Sequence, residues 1–147
     1  MPQHDPYASH LPVLAAVCAL LQPRRILELG GGVYSTPFFL GLPCLEELVT
    51  VEADPGWRNK LPEDDRLTVL DSIDQWDYLE FAPVTFGLVF IDDGQSVPER
   101  ETSIRWALGQ LHPPTVVHDA EVYERVIAAL TPSYMVIPTA PATAVIR

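Results

Sequence analysis

Five short stretches of this 147-residue chain carry side chains able to do chemistry, and each follows an apolar run. The first is Glu28-Leu29-Gly30-Gly31-Gly32-Val33-Tyr34-Ser35. Gly30 and Gly32 allow a tight turn and a close approach of backbone to a ligand, and a helix starting behind them favours a carboxylate or other anion. The second ends in Glu52, at a distance from the glycines where an acid can accept both hydroxyls of a ribose. The third is Asp71-Ser72, whose carboxylate and hydroxyl suit the amine and ring nitrogens of an adenine. The fourth and fifth are Asp92-Asp93-Gly94-Gln95 and His118-Asp119-Ala120. Plainer readings stand beside these: a strand-to-helix turn for the glycines, helix N-caps for Asp54 and Asp119, a turn for Asp93-Gly94, a core histidine for His118.

The elements that would position these residues follow from proline and glycine punctuation. Leu11 to Leu21 reads as an apolar helix with Ser9 as N-cap and Pro12 in its first turn. Strands are expected at Ile26–Leu29, Leu48–Glu52, Arg66–Leu70, Phe86–Ile91 and Thr115–His118. Short helices open at Ser35 or Thr36 and after Asp54-Pro55. A longer one, with Ser96 and Glu99 as a capping box, presents Ile104, Leu108 and Leu111 on one face. Another follows Asp119, with Val122, Val126, Ile127 and Leu130 as its apolar positions. Tyr134–Ile137 and Thr143–Ile146 are joined by too few residues for a parallel crossover, so they predict an antiparallel hairpin. Strands that are apolar throughout, joined by long crossovers, imply a doubly wound α/β sheet, and ligands then bind beyond the carboxyl ends of its strands.

Together these motifs resemble the class I S-adenosylmethionine-dependent methyltransferases over nearly the whole chain, as one domain spanning 1–147 with a Rossmann-like, mostly parallel seven-stranded sheet whose last strand is antiparallel. The resemblance implies that Gly30, Gly31 and Gly32 pass beneath the methionine part of the cofactor, with Glu28 near its amino group, Ser35 near its carboxylate and Tyr34 along the channel. It places Glu52 on the ribose, Asp71 and Ser72 at the adenine, and Asp92 among the cofactor contacts. Similarity to metal-dependent small-molecule O-methyltransferases further implies that Asp92 and Asp119 hold a divalent cation such as magnesium, which orients and acidifies a substrate hydroxyl. Ala120 departs from that pattern, where an amide or acid is common, and Gln95 stands where a lysine or histidine base is common. His118 is then the general base at the rim. A dinucleotide-binding reading fits less well, because it expects a third glycine where Ser35 stands. A catalytically silent cofactor-binding or regulatory module remains the alternative from another class.

Charge and composition agree. The chain carries 9 Lys and Arg against 20 Asp and Glu, net −11, which disfavours nucleic acid and anionic membrane partners. Seven of the 20 acids (Glu28, Glu52, Asp54, Asp71, Asp92, Asp93, Asp119) fall at expected strand ends, where a cationic cofactor would sit. The apolar run Leu11–Leu21 is too short to span a bilayer and lacks a basic flank, and two cysteines without metal spacing suit a reducing compartment, so a cytoplasmic location is expected. Trp57, Trp76 and Trp106 read mainly as packing residues, Trp57 with the option of flanking an adenosine and Trp76 of bordering an adenine. Without a lid-sized insertion, substrate selection would fall to loops around Tyr7, Gln95 and Tyr123 or to a second copy of the chain.

Overall fold

A computed structural model describes residues 5–72, 86–94, 96–110, 113–131 and 133–147. After a single 3-10 turn (Pro6–Ala8), the elements run α1 (Leu11–Leu21), β1 (Arg25–Leu29), α2 (Ser35–Leu40), β2 (Glu47–Val51), α3 (Pro55–Arg58), β3 (Leu67–Leu70), β4 (Leu88–Ile91), α4 (Val97–Gln110), β5 (Thr115–His118), α5 (Ala120–Leu130), β6 (Tyr134–Ile137) and β7 (Thr143–Ile146). The seven strands form one sheet in the order β3-β2-β1-β4-β5-β7-β6. All pairs from β3 to β5 are parallel, whereas β7 runs antiparallel to both β5 and β6. The expected fold class is therefore the observed one, with the strand order reversing between β1 and β4.

Apolar side chains bury both faces of the sheet, as its unbroken strand patterns require. One face packs Leu27, Leu29, Val89, Ile91 and Val117 against Ile104 and Ala107 of α4 and Tyr123, Val126 and Ile127 of α5, with Trp106 at its margin. The other packs Ile26, Leu48, Phe90 and Val116 against Leu14 and Cys18 of α1 and Phe39 of α2. Three local expectations need correction. Ser9 does not cap α1; His10 holds the N-cap position without a side-chain bond, and the Ser9 hydroxyl reaches across the fold to His118. On α5, Val122 is 52% exposed and Leu130 is also exposed, because Ala120 and Tyr123 turn the inward face by one position. Asp119 precedes α5 but makes no side-chain cap bond. Asp54 does cap α3, accepting from the N–H groups of Gly56 (2.6 Å) and Trp57 (3.1 Å). Leu111, Trp76 and Gln95 lie outside the described residues.

Register decides what the sheet presents at its carboxyl edge. Leu29 pairs with Val51 and with Ile91, Val51 with Leu70, and Ile91 with Val117. One residue further on, Asp71, Glu52, Gly30, Asp92 and His118 therefore form a row in the order of the strands.

Glu28 lies one residue before the end of β1 and is completely buried. Its Oε2 accepts from the hydroxyls of Thr50 (2.6 Å) and Thr36 (2.7 Å), while its Oε1 is buried with no partner. Burial pushes its carboxyl up to about 7 against these hydrogen bonds. The folded chain thus keeps a proton that the unfolded chain releases, so the Glu28 contribution to stability should fall as pH rises from about 4.5 to about 7. Glu28→Gln should remove that contribution and gain roughly 3 kcal/mol over the wild type above the window, with little difference below it. Urea unfolding at stepped pH measures this; equal slopes for the two proteins would contradict it.

Candidate active site

The row of strand ends lines a cleft of about 1240 Å³. Gly30, Gly31, Gly32, Tyr34, Ser35, Glu52, Asp71, Ser72, Asp92, His118 and Asp119 all contribute to its wall. Glu28 does not. It sits behind the glycine turn, bound to threonine hydroxyls, so the contact to a cofactor amino group implied by the resemblance has no geometric support. Six of the seven acids expected at the strand ends line the cleft, joined by Glu99 from α4.

The glycine turn is built for contact on both sides. Gly30 has φ +91°, and a Cβ there would lie 2.5 Å from the carbonyl oxygen of Asp92. Its N–H continues the β1 ladder to Val51 O (2.8 Å), and Asp92 N–H does the same to Leu29 O (2.8 Å). Gly32 differs: a Cβ there would meet nothing within 4 Å, leaving an open cradle at the cleft wall. Its N–H donates to Thr36 Oγ1 at 3.1 Å, which pins the turn to α2. Such a cradle beside an acidic wall fits a flat nucleoside carrying a cationic chain.

At the β2 and β3 ends, Glu52 Oε1 accepts from Asp54 N–H (2.8 Å), and the Arg58 guanidinium bonds the Glu52 carbonyl (3.1 Å). Partial burial raises the Glu52 carboxyl above its ordinary range. Trp57 stands exposed at the wall with Lys60 over its ring, at 4.3 Å from the centroid, so it is a lining residue and not a packing one. Tyr34, also exposed, bonds Asp5 through its hydroxyl. Tyr7 lines the cleft as well, whereas Tyr123 is buried under Arg100 and is no part of a loop around the site.

The β4 and β5 ends hold the densest cluster. His118 Nδ1 faces Asp92 Oδ1 at 3.1 Å, and its Nε2 meets Ser9 Oγ at 2.8 Å. Burial works against protonation of this ring, but the hydrogen bond and charge of Asp92, with Asp119 behind, outweigh it and raise His118 above the ordinary imidazole range. Both ring nitrogens are thus engaged, and His118 is a support for Asp92 before it is a base. Asp93 is pushed up to about 6 by burial; its Oδ2 accepts from Ser103 Oγ at 2.5 Å and its Oδ1 is buried without a partner.

Two residues of this cluster escaped the reading of the sequence. His10, only 1% exposed, lines the cleft at the start of α1, its ring 5.0 Å from Phe90 and 4.8 Å from His118. Neither of its nitrogens has a partner, and burial lowers it to about 4, so it is neutral at pH 7. Arg100 extends from α4 between Asp92 and Asp119: NH2 lies 3.2 Å from Asp92 Oδ1 and NH1 lies 2.7 Å from Asp119 Oδ2. NH1 also donates to the His118 carbonyl (3.3 Å) and Nε to the Asp93 carbonyl (2.5 Å). Asp119 turns its carboxylate toward this guanidinium from a left-handed conformation, φ +55°, which accounts for the missing cap bond. Asp92 and Asp119 do converge as expected, but the cation between them belongs to the chain. Ala120, buried, offers no further oxygen.

Nitrogen-15 spectra of the histidines check this electrostatic pattern. One imidazole should remain neutral down to about pH 4 and vanish from the titration in His10→Asn, while the His118 signal should titrate above 6.5 and drop in Asp92→Asn. With the two rings assigned by the signals lost in His10→Asn and His118→Asn, His10 and His118 titrating together near the ordinary value would contradict it.

No family model and no curated protein sequence matches the chain. Solved structures do. A Klebsiella pneumoniae protein provisionally described as an O-methyltransferase aligns with a TM-score of 0.72 at 24% identity, covering 99% of this chain and 83% of that one. An O-methyltransferase from Bacillus cereus in complex with S-adenosylhomocysteine aligns at 0.69 and 21% identity, over 99% and 83%. TomG from Streptomyces achromogenes, an O-methyltransferase involved in tomaymycin synthesis and in complex with S-adenosylmethionine, aligns at 0.66 and 20% identity, over 98% and 80%. The seven-stranded Rossmann-like sheet of this chain is thus the fold of methyltransferases, matched over nearly the full length.

Proposed function

We propose that the chain transfers a methyl group from S-adenosylmethionine to an oxygen of a small-molecule acceptor. The observation that carries this reading is the sequence of groups along the rim. Asp71, Ser72, Trp57 and Glu52 line the end formed by β3 and β2, the glycine turn lies at β1, and Asp92, His118 and His10 line the end at β4 and β5. A nucleoside, a sulfonium chain and an acceptor would occupy these three stretches in that order.

The cofactor, when bound, supplies an electrophilic methyl group on a sulfonium. Glu52 would accept the ribose hydroxyls, Asp71 and Ser72 would meet the adenine, and the Gly30–Gly32 backbone would run beneath the methionine part, with Tyr34 beside it and Ser35 at its carboxylate. Asp92 faces the acceptor end and would accept the hydrogen of the acceptor hydroxyl. His118 holds that carboxylate in place and shares its proton, and neutral His10 offers a second polar contact without adding charge. Much of the rate then comes from holding acceptor oxygen and methyl group in line. The implied divalent cation is not part of this scheme, since the Arg100 guanidinium already lies between Asp92 and Asp119 and pairs with both. The acceptor is a small molecule, the location cytoplasmic, and a second copy of the chain is the source of any cover over the cleft.

One observation favours the silent cofactor-binding or regulatory module as a second reading: both nitrogens of His118, the expected base, are already engaged. Titration calorimetry with S-adenosylmethionine and S-adenosylhomocysteine comes first. Both should bind, and Gly32→Ala and Glu52→Ala should each weaken binding about 10-fold or more, roughly 1.4 kcal/mol. Absence of binding by either compound would end both readings. Methyl release onto a panel of phenols and sugars then separates the enzyme from the binder. For the enzyme, Asp92→Asn should lower kcat by roughly 10²–10⁴-fold with cofactor affinity largely kept.

A further inference from the structure

We propose that Arg100 replaces a divalent metal ion at this rim, so that Asp92 and Asp119 form a permanent, metal-free cation site whose cation is a side chain. The proposal rests on the methyl-transfer reading for its catalytic meaning and on geometry alone for its binding prediction.

The carboxylates of Asp92 and Asp119 end adjacent parallel strands, the placement that suits a hard cation with oxygen ligands. Yet the guanidinium lies between them, at 3.2 Å from one and 2.7 Å from the other, with its side chain only 9% exposed. It is held there from several directions. Its Nε and NH1 donate to the carbonyls of Asp93 and His118, and the Tyr123 ring lies 5.4 Å away beneath it. The His118 carbonyl belongs to the last residue of β5 and the Asp93 carbonyl to the loop just after β4, so the arginine is anchored by backbone on both sides of the corner. Asp119 adopts a left-handed conformation in meeting it. A magnesium-type ion needs about six oxygen ligands; Ala120 contributes none, and expelling Arg100 would leave a buried charge without its partners.

A built-in cation changes what the site asks of its acceptor. A metal ion binds and acidifies a hydroxyl by direct coordination and rewards a chelating pair of oxygens. Arg100 has committed its Nε, NH1 and NH2 to the protein, so it sets the direction and charge of Asp92 and Asp119, and the acceptor meets those carboxylates and His10. Arg100 is in that sense a positioning residue. It also caps the negative potential of the cleft at the β4–β5 end, which leaves the strongest attraction for a cation along the Asp71, Glu52 and glycine-turn stretch. The result is a single-hydroxyl acceptor held by hydrogen bonds.

Manganese, whose paramagnetism reports its location, is the probe. With wild-type protein and Mn2+ alone, electron paramagnetic resonance should show no saturable site, and amide signals of Asp92, Asp93, Asp119 and Ala120 should not broaden selectively. Arg100→Ala frees the carboxylate pair and should create a Mn2+ site that broadens those four amides; Arg100→Ala with Asp119→Asn should weaken it roughly 10–100-fold. Selective broadening in the wild type, abolished by Asp119→Asn, would overturn the proposal, and this measurement stands even where Arg100→Ala does not fold. Zinc titrated into the wild type covers the softer donors His10, Asp92 and His118, whose ligand atoms lie within 4.8 Å of one another. Stoichiometric zinc lost in His10→Ala would show the rim taking a metal beside Arg100 and would equally overturn it. Calorimetry with S-adenosylhomocysteine, run on the same wild-type sample, reports separately on the methyl-transfer reading.

Discussion

Carboxylates that end neighbouring parallel strands repel one another, and the corner where β4 and β5 finish brings together three: Asp92, Asp93 and Asp119. Arg100 makes that corner stable. Its guanidinium pairs with two of the carboxylates and bonds the backbone carbonyls of Asp93 and His118, so one side chain from α4 fixes two strand ends and the first residue of the link to α5. Charge-assisted bonds of this kind are stronger and more directional than neutral ones. Removing the arginine would expose mutual repulsion among acids that are partly or largely buried, a cost that surface ion pairs do not carry.

The same corner is coupled to the glycine turn. Gly30 packs against the carbonyl of Asp92 so closely that no side chain fits between them. The glycine-turn side and the Asp92 side of the cleft therefore share a backbone contact, and the direction of Asp92 is set by β1 as well as by Arg100 and His118. Below the turn, Glu28 bonds the hydroxyls of Thr50 and Thr36 from its buried place in β1. An acid in the middle of a sheet is expensive unless it is protonated or hydrogen-bonded, and this one is bonded on one oxygen and pushed toward the protonated form. Its neighbours bind β1, β2 and α2 into a single support for the turn.

Much of this architecture was legible from pattern. Apolar runs bounded by glycine and proline located all seven strands to within two residues at most of their ends, and the short link between Ile137 and Thr143 required a hairpin. Parallel strands also make their first residues beyond the sheet neighbours, which is why Asp71, Glu52, Gly30, Asp92 and His118 could be read as one rim. Where the reading failed, the side chain had more than one place to go. Ser9 and Asp119 are both good N-cap residues by type, but each found a partner from a distant part of the chain that outcompeted the local N–H groups. Glu28 stands in the motif of a ligand contact, yet alternation along β1 turns it toward α1 and α2. Tyr123 occupies an ordinary helical position whose inward direction depends on how α5 rolls against the sheet.

By itself, then, the sequence determined the strand order of chemistry: a glycine turn, an acid beyond β2, another beyond β3, and a pair beyond β4 and β5. These follow from local signals, because a strand's period and its terminating turn lie within a few residues of each other. Only the tertiary structure decided which charge neutralises which. His10, Arg100 and Ser9 carry no local signature of a role in the site, since a helical arginine and a histidine before a proline-containing helix are common in any chain. Their roles arise because α1 and α4 dock on opposite faces of the sheet while their first turns reach the same edge. That convergence depends on long-range packing, and it puts an arginine where the pattern of acids alone called for a metal.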